Sequence, residues 1–327
     1  MIGQKTVIHL ARRSDPDIGG VESHLSHVLP ELEKLGFNAV ILNERTLQKN
    51  LAWVPSHKLA IWLGMLFRLP ILWRASILHV HDVFWWLLPL LPLLWWKQIF
   101  ITFHGYESVA GPSLRQRFWH RLAAWITRGN ICIGRFHEAW YGVKSKSISY
   151  GAVGIAEKKS KCSQNKQAVF IGRLALDTNF RTYVEAIYLA KQKGTQISLA
   201  VYGEGSERAW AEVYAKRHHL DIDFFGFVPN AISHIEKYSC AFVSQYLAIL
   251  ESLAAGVPVV ACATTKFKKS YLQDTPFASW ITLATTPAEI VTAFSNRTLP
   301  SARAQAWSRA QSWKKLALQY QKLWSTR

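Results

Sequence analysis

One stretch limits the fold more than any other: Ser239–Cys262, SCAFVSQYLAILESLAAGVPVVAC. Ala241, Phe242 and Val243 form a short apolar run of the kind a parallel sheet buries on both faces. Leu247, Leu250, Leu253 and Ala254 then recur at helical spacing. Gly256 stands where a helix ends in the left-handed conformation, and Pro258 forbids its continuation. Val257 to Ala261 is the next strand. A strand–helix–strand unit this short is a parallel crossover, and such sheets bind ligands at the carboxyl ends of their strands, beside helix N-termini. Glu251 lies in the crossover helix, where a carboxylate can accept from vicinal hydroxyls such as those of a ribose. From spacing alone, a solvated surface Glu remains equally open.

The alternation extends over the whole chain. Strands are expected at Thr6–Leu10, Phe37–Leu42, Ile77–Val80, Ile99–Phe103, Ile131–Ile133 and Ser147–Tyr150. A second series is expected at Ala168–Ile171, Ile197–Tyr202, Ile222–Phe225, Ala241–Val243, Val257–Ala261 and Trp280–Leu283. Apolar helices separate most of them. Between the series lies Ala156–Gln167, AEKKSKCSQNKQ, nearly free of apolar residues and read as a linker. The 327 residues are enough for two cores. The fold class is therefore α/β, with two doubly wound Rossmann-like domains, 1–160 and 161–327.

Ligand-edge features recur in both halves. Gly19-Gly20 precedes a helix carrying Val21, Leu25, Val28 and Leu32, with Pro30 expected to kink it; a plain turn explains the glycines as well as a ligand loop does. The strands before His81 and His104 each end in His. A metal on His79, His81 and His104 is disfavoured because no carboxylate or Cys completes the set, and each His can be a structural residue. Gly172-Arg173, Gly203-Glu204-Gly205 and Gly226 each leave a strand of the second half, and an Arg there can grip phosphate with two prongs. Two D-x-D triplets, Asp15-Pro16-Asp17 and Asp221-Ile222-Asp223, read as a loop and a strand entry.

Composition narrows the partners. Lys and Arg number 39 against 21 acids, a net charge of +18 that both halves share. An anionic partner follows, but no compact nucleic-acid-binding motif is present, so no nucleic acid is expected. The longest apolar run, Val83–Trp96, is interrupted by Pro89 and Pro92 and is shorter than the ~20 residues of a spanning helix. The first residues lack the order of a secretory leader, and the four scattered cysteines fit reduced thiols, so a cytoplasmic setting is expected. From Ser108 to His137 there are five arginines and no acid, interleaved with Phe118, Trp119 and Trp125; Leu51–Leu78 has Lys58, Arg68 and Arg74 among Trp53, Trp62 and Trp73. Such segments suit peripheral attachment to the anionic inner face of a membrane.

These motifs together carry a resemblance. IGGVE (18–22), HVHD (79–82), FHG (103–105), FIGRL (170–174), VYGEGSE (201–207), FFGFV (224–228) and LAILESLAAGVPVVA (247–261) stand in the order found in glycosyltransferases of family 4. The chain resembles that GT-B-fold family of retaining, nucleotide-sugar-dependent enzymes. The resemblance implies two Rossmann-like domains facing across a cleft, the first on the acceptor side and the second binding the donor, with a last helix (about 310–327) returning to the first. It implies His104 and Arg173 as catalytic groups, His104 at the reacting centre and Arg173 on the donor diphosphate. It implies Gly19, Gly20, Arg173, Thr178, Gly203, Tyr246, Leu247 and Glu251 around the donor, with Glu251 on the ribose. The expected co-substrate is a UDP- or GDP-sugar, with no further cofactor and no metal. The expected acceptor is a glycan or a lipid-linked sugar.

Two departures stand out. The family's Lys five residues after the Arg is Thr178 here, and the first Glu of its E-x7-E element falls on Val243. Arg181 is the nearest cation in sequence to the lost Lys. A rebuilt site is expected; a sugar-nucleotide epimerase and a non-catalytic or weakly active sugar-nucleotide-binding protein are the alternatives.

Overall fold

The computed structural model describes residues 5–14, 19–106, 108–154 and 166–325. The chain runs β1 (Lys5–Ala11), α1 (Gly20–Lys34), β2 (Phe37–Leu42), α2 (Glu44–Gln48), α3 (His57–Phe67), α4 (Leu69–Arg74), β3 (Ile77–His81), β4 (Gln98–Phe103), α5 (Leu114–Ile126), β5 (Gly129–Ile133) and β6 (Ser147–Ser149). It continues with β7 (Gln167–Ile171), α6 (Phe180–Gln192), β8 (Ser198–Tyr202), α7 (Arg208–His218), β9 (Ile222–Gly226), β10 (Cys240–Phe242), α8 (Tyr246–Ala255), β11 (Val259–Cys262), α9 (Lys266–Gln273), β12 (Thr282–Ala284), α10 (Pro287–Ser295), α11 (Ala302–Arg309) and α12 (Trp313–Ser325).

Two compact units result. The N-terminal unit comprises Met1–Tyr106, Pro112–Ser149 and Trp313–Arg327; the C-terminal unit comprises Glu107–Gly111 and Tyr150–Ser312. The chain thus changes unit between Ser149 and Tyr150, ahead of the polar segment read as a linker, most of which lies outside the described residues. Each unit holds a six-stranded parallel sheet, in the orders β2-β1-β3-β4-β5-β6 and β12-β11-β10-β7-β8-β9. The α/β class with two doubly wound sheets is the one the alternation of periods demanded.

The N-terminal core joins Val7, Ile8 and Leu10 of β1 to Leu25, Val28 and Leu32 of α1, to the fully buried β3 and to β4, buried after Gln98. α1 is continuous through Pro30. The apolar segment after β2 breaks at Arg68, just before Pro70, into α3 and α4. In the C-terminal unit Phe170, Phe180, Tyr183, Val201, Phe242, Val260 and Ile290 share one core. α8 ends as its sequence requires: Gly256 takes φ 81°, its N–H bonds Leu253 O, and Val257 N–H bonds Ser252 O. No helix among the described residues is long and apolar enough to cross a membrane.

Candidate active site

The loops after β7 and β8 are packed backbone against backbone. Gly203 has φ 144°, and a Cβ there would lie 1.8 Å from Gly172 O. A Cβ on Gly205 would lie 2.2 Å from Leu174 O. No side chain fits at either place, so these glycines are required by close approach. The loop they steady carries Arg173, whose Nη2 donates to Asp177 Oδ2 at 2.6 Å while most of the side chain stays exposed.

Thr178 turns its hydroxyl inward. It is buried, and its Oγ1 lies 2.9 Å from Arg173 O and 2.7 Å from Ala175 O, closing its own loop. Arg181 does not replace the lost Lys either: it pairs with Glu207 and stacks at 4.7 Å over Trp210. The cation that sequence reading missed is Lys268, in the first turn of α9 beyond the carboxyl end of β11. It is 1% exposed, and burial pushes its ammonium down to about 7, with Asp177 pulling it up and Arg173 pushing it further down. Nothing in its local sequence marks it, because the sheet order alone brings it near the Arg173 loop.

Val243, at the position the resemblance gives to the first Glu, is buried and directly follows Phe242, the last residue of β10. The short turn after it is braced from α9. Tyr246 stacks on Tyr271 with centroids 4.0 Å apart and planes 4° apart, and its hydroxyl donates to Tyr271 O at 2.6 Å. Tyr271 Oη accepts from Tyr246 N–H and donates to Gln245 Oε1 at 3.2 Å. Lys268 Nζ sits 4.4 Å over the Tyr271 ring. The Tyr246 side chain is therefore a buried strut; Leu247 beside it is partly buried. Glu251 follows on the same helix, partly buried, and burial pushes its carboxyl up to about 8.

In the N-terminal unit Gly19 caps α1 with no side-chain hydrogen bond, and a Cβ on Gly20 would meet nothing within 4 Å. Among the described residues, the Glu22 carboxylate is the side chain folded against Gly19. His104 follows β4, its backbone N–H bonded to the Asp82 carboxylate at 3.1 Å. It is the end member of a row of imidazoles that sequence reading saw only in part. His104 Nε2 lies 2.8 Å from His81 Nδ1, and His81 Nε2 lies 3.0 Å from His9 Nδ1. A second chain runs from Trp324 Nε1 to His79 Nδ1 (3.0 Å), His79 Nε2 to Thr102 Oγ1 (2.8 Å), Thr102 Oγ1 to Tyr320 Oη (2.9 Å) and Tyr320 Oη to His24 Nε2 (2.8 Å). Burial and the neighbouring rings push His9 and His24 down to about 3 and hold His79, His81 and His104 well below the usual imidazole range. All five are neutral at pH 7. The parallel register, which sets His9 beside His79, was the available signal for His9.

His24, His81 and His104 bring one ring nitrogen each within 4.8 Å of the others, so among the described residues they are a set able to approach a metal ion; it differs from the set weighed in the sequence. Asp221 and Asp223 are at the entry of β9, with Asp223 exposed, and Asp15–Asp17 lies outside the described residues. Cys132, Cys240 and Cys262 are buried and not in disulfides; Cys162 is outside the described residues.

Comparison with known proteins adds the following. Residues 165–295 match the family model of the glycosyl transferases group 1. A 130-residue segment is 30% identical to chloroplastic digalactosyldiacylglycerol synthase 1 of Arabidopsis thaliana; the match covers 38% of this chain and 16% of that relative's length. Solved structures with the same fold include Alr3699/HepE of Anabaena in complex with UDP and glucose, with TM-score 0.70, 12% identity, and 98% of this chain and 99% of that one covered. A glycosyltransferase of Rickettsia africae has TM-score 0.66 at 13% identity, with 98% of each chain covered. AviGT4, a glycosyltransferase involved in avilamycin A biosynthesis, has TM-score 0.62 at 14% identity, covering 98% and 97%. This chain has the two-sheet GT-B fold of those glycosyltransferases, and its C-terminal unit carries the group 1 pattern.

Proposed function

We propose that the protein transfers a sugar from a UDP- or GDP-sugar to a hydroxyl of a glycan or lipid-linked acceptor, with retention at the anomeric carbon and without a metal ion. The observation that carries the reading is the ligand edge of the group 1 unit, where the Gly-paired loop presents Arg173 and α8 presents Glu251. Glu251 accepts from the ribose hydroxyls. Arg173 meets the diphosphate, whose negative charge grows as the sugar leaves, so its contact strengthens toward the transition state. His104, neutral and steadied by its neighbours, is the N-terminal unit's group at the reacting centre.

The test is a thermal-shift screen with UDP, GDP and their sugars, followed by turnover with EDTA present and by the anomeric configuration of the product. A ligand at 100 times its Kd raises stability by about 2.7 kcal/mol, and only the matching nucleotide is expected to do so. No shift with any nucleotide sugar would remove the donor reading.

The acceptor side is read from α5. Leu114 and Trp125 are each 82% exposed and Phe118 is 59% exposed. At 3.6 residues per turn these three fall within about 40° of one another, opposite the buried Ala123, so the ridge furthest from the core is apolar. Arg115 and Arg121 flank it, Arg128 follows just beyond the helix end, and the helix has no acid. A surface of this kind suits anionic lipid, where rings bury at the headgroup boundary and each cation adds about 1 kcal/mol. The lipid product named for the plant relative supports a lipid-linked acceptor. Liposome flotation is expected to show binding to anionic vesicles at low salt and release at high salt. Changing Phe118 and Trp125 to Ser and Arg115 and Arg128 to Gln is expected to abolish flotation while soluble donor binding persists. Equal flotation with neutral vesicles would refute the docking.

A further inference from the structure

The buried imidazole row determines which nitrogen of His104 carries a proton. A neutral imidazole has one donor and one acceptor nitrogen, so fixing one bond fixes the rest of a row. The row ends at His9 Nε2, which is buried and has no hydrogen-bond partner among the described residues. That nitrogen is either an orphaned N–H or an orphaned lone pair, and a buried orphaned N–H is the rarer and costlier of the two. His9 therefore carries its proton on Nδ1 and donates to His81 Nε2; His81 donates from Nδ1 to His104 Nε2; His104 carries its proton on Nδ1.

The second chain is fixed from the other end. Indole nitrogen is a donor only, so Trp324 donates to His79 Nδ1. His79 then donates to Thr102, Thr102 to Tyr320 and Tyr320 to His24 Nε2, which leaves the His24 proton on Nδ1. With His81 Nδ1 protonated as well, His24, His81 and His104 do not offer three free lone pairs to a metal.

We propose that His9 and His81 are positioning residues that lock His104 as the Nδ1–H tautomer, so that His104 serves the transfer reaction as a neutral hydrogen-bond donor through Nδ1. The row orients and does not conduct: a proton entering at His104 would have to leave from His9 Nε2, which has no outlet. This inference rests on the transferase reading for its use of His104, but the tautomer itself does not.

The experiment has two arms. In the first, long-range proton–nitrogen correlation spectra of the ligand-free, nitrogen-15-labelled full chain at pH 7 are assigned by single His substitutions. The expected result is a protonated Nδ1 and an unprotonated Nε2 on His9, His81 and His104. A His104 protonated on Nε2, or on both nitrogens, overturns the proposal, as does stoichiometric uptake of zinc that shifts His24, His81 and His104 together. In the second arm, turnover is compared for His104→Asn, whose amide can still donate, and for His104→Ala and His104→Asp, which cannot. Ala and Asp are expected to lower kcat about 100–1,000-fold, as removal of a transition-state donor does, and Asn at least tenfold less than that. Equal losses in all three overturn the donor role. If the wild-type chain shows the Nδ1–H pattern and no turnover on any nucleotide sugar, the lock stands and the transferase reading falls.

Discussion

The affinity of the C-terminal unit for a nucleoside is expected to rise about tenfold per pH unit between about pH 6 and pH 8, and to level off above it. The cause is Glu251. Burial raises its carboxyl to about 8, so at neutral pH it is largely protonated before a ligand arrives. Ribose hydroxyls that donate to it favour the carboxylate, and binding therefore releases a proton below pH 8. An uncharged nucleoside isolates this effect from the phosphates. In Glu251→Gln the slope should vanish, and at about pH 9 affinity should fall by 1.5–3 kcal/mol, about 10–150-fold, the worth of a charged hydrogen bond. Stability should move the opposite way. Between the unfolded carboxyl near 4.5 and the folded one near 8, the native state holds a proton that the unfolded chain has lost. Stability is full below that window and falls as pH rises through it, so the Gln variant should be more stable at pH 9 by about 2–4 kcal/mol. Titration by NMR and denaturant melts across pH check both; a flat nucleoside affinity in the wild type would take Glu251 off the ribose.

The second large effect concerns the increment in affinity from nucleoside to nucleoside diphosphate, where Arg173 and Asp177 should act with opposite signs. Arg173→Ala is expected to cut that increment by about 1.5–3 kcal/mol and leave the nucleoside unaffected. Asp177→Asn removes the acid that neutralises Arg173 and should strengthen diphosphate binding by about 1–2 kcal/mol. Lys268 adds a pH signature. Its ammonium titrates near 7 without ligand, and a diphosphate favours the charged form. The diphosphate increment should therefore decline as pH rises above 7, and Lys268→Met should remove the decline. Because Lys268 is buried, this variant needs a melting curve beside the binding data. Calorimetric titration with UDP, GDP and the free nucleosides separates the cases; a weaker diphosphate increment in Asp177→Asn would mean that the acid orders the Arg173 loop more than it opposes the ligand.

The strand and helix order was legible because both signals are local. Apolar runs of strand length, helical spacing and punctuation such as Gly256-Val257-Pro258 depend only on neighbours along the chain. They were enough to set out two parallel sheets, to place Arg173 and Gly203 just after strands and to place Glu251 within a crossover helix. The resemblance to family 4 also marked two departures, Thr178 where that family has a Lys and Val243 where it has a Glu. It could not show what stands there instead. Thr178 turns its hydroxyl into its own loop, and Tyr246 becomes a strut, because Tyr271 from another crossover stacks on it. Lys268 nears Arg173 only through the order β11-β10-β7, a neighbour relation with no trace in sequence spacing. The imidazole row is the extreme case: His9, His81 and His104 come from three strands or strand ends, and Tyr320 and Trp324 reach the second chain from a helix more than 200 residues later. Local sequence decided which residue types lie at the ligand edge; only the tertiary packing decided their protonation, since burial and the direction of shared hydrogen bonds are properties of the folded chain.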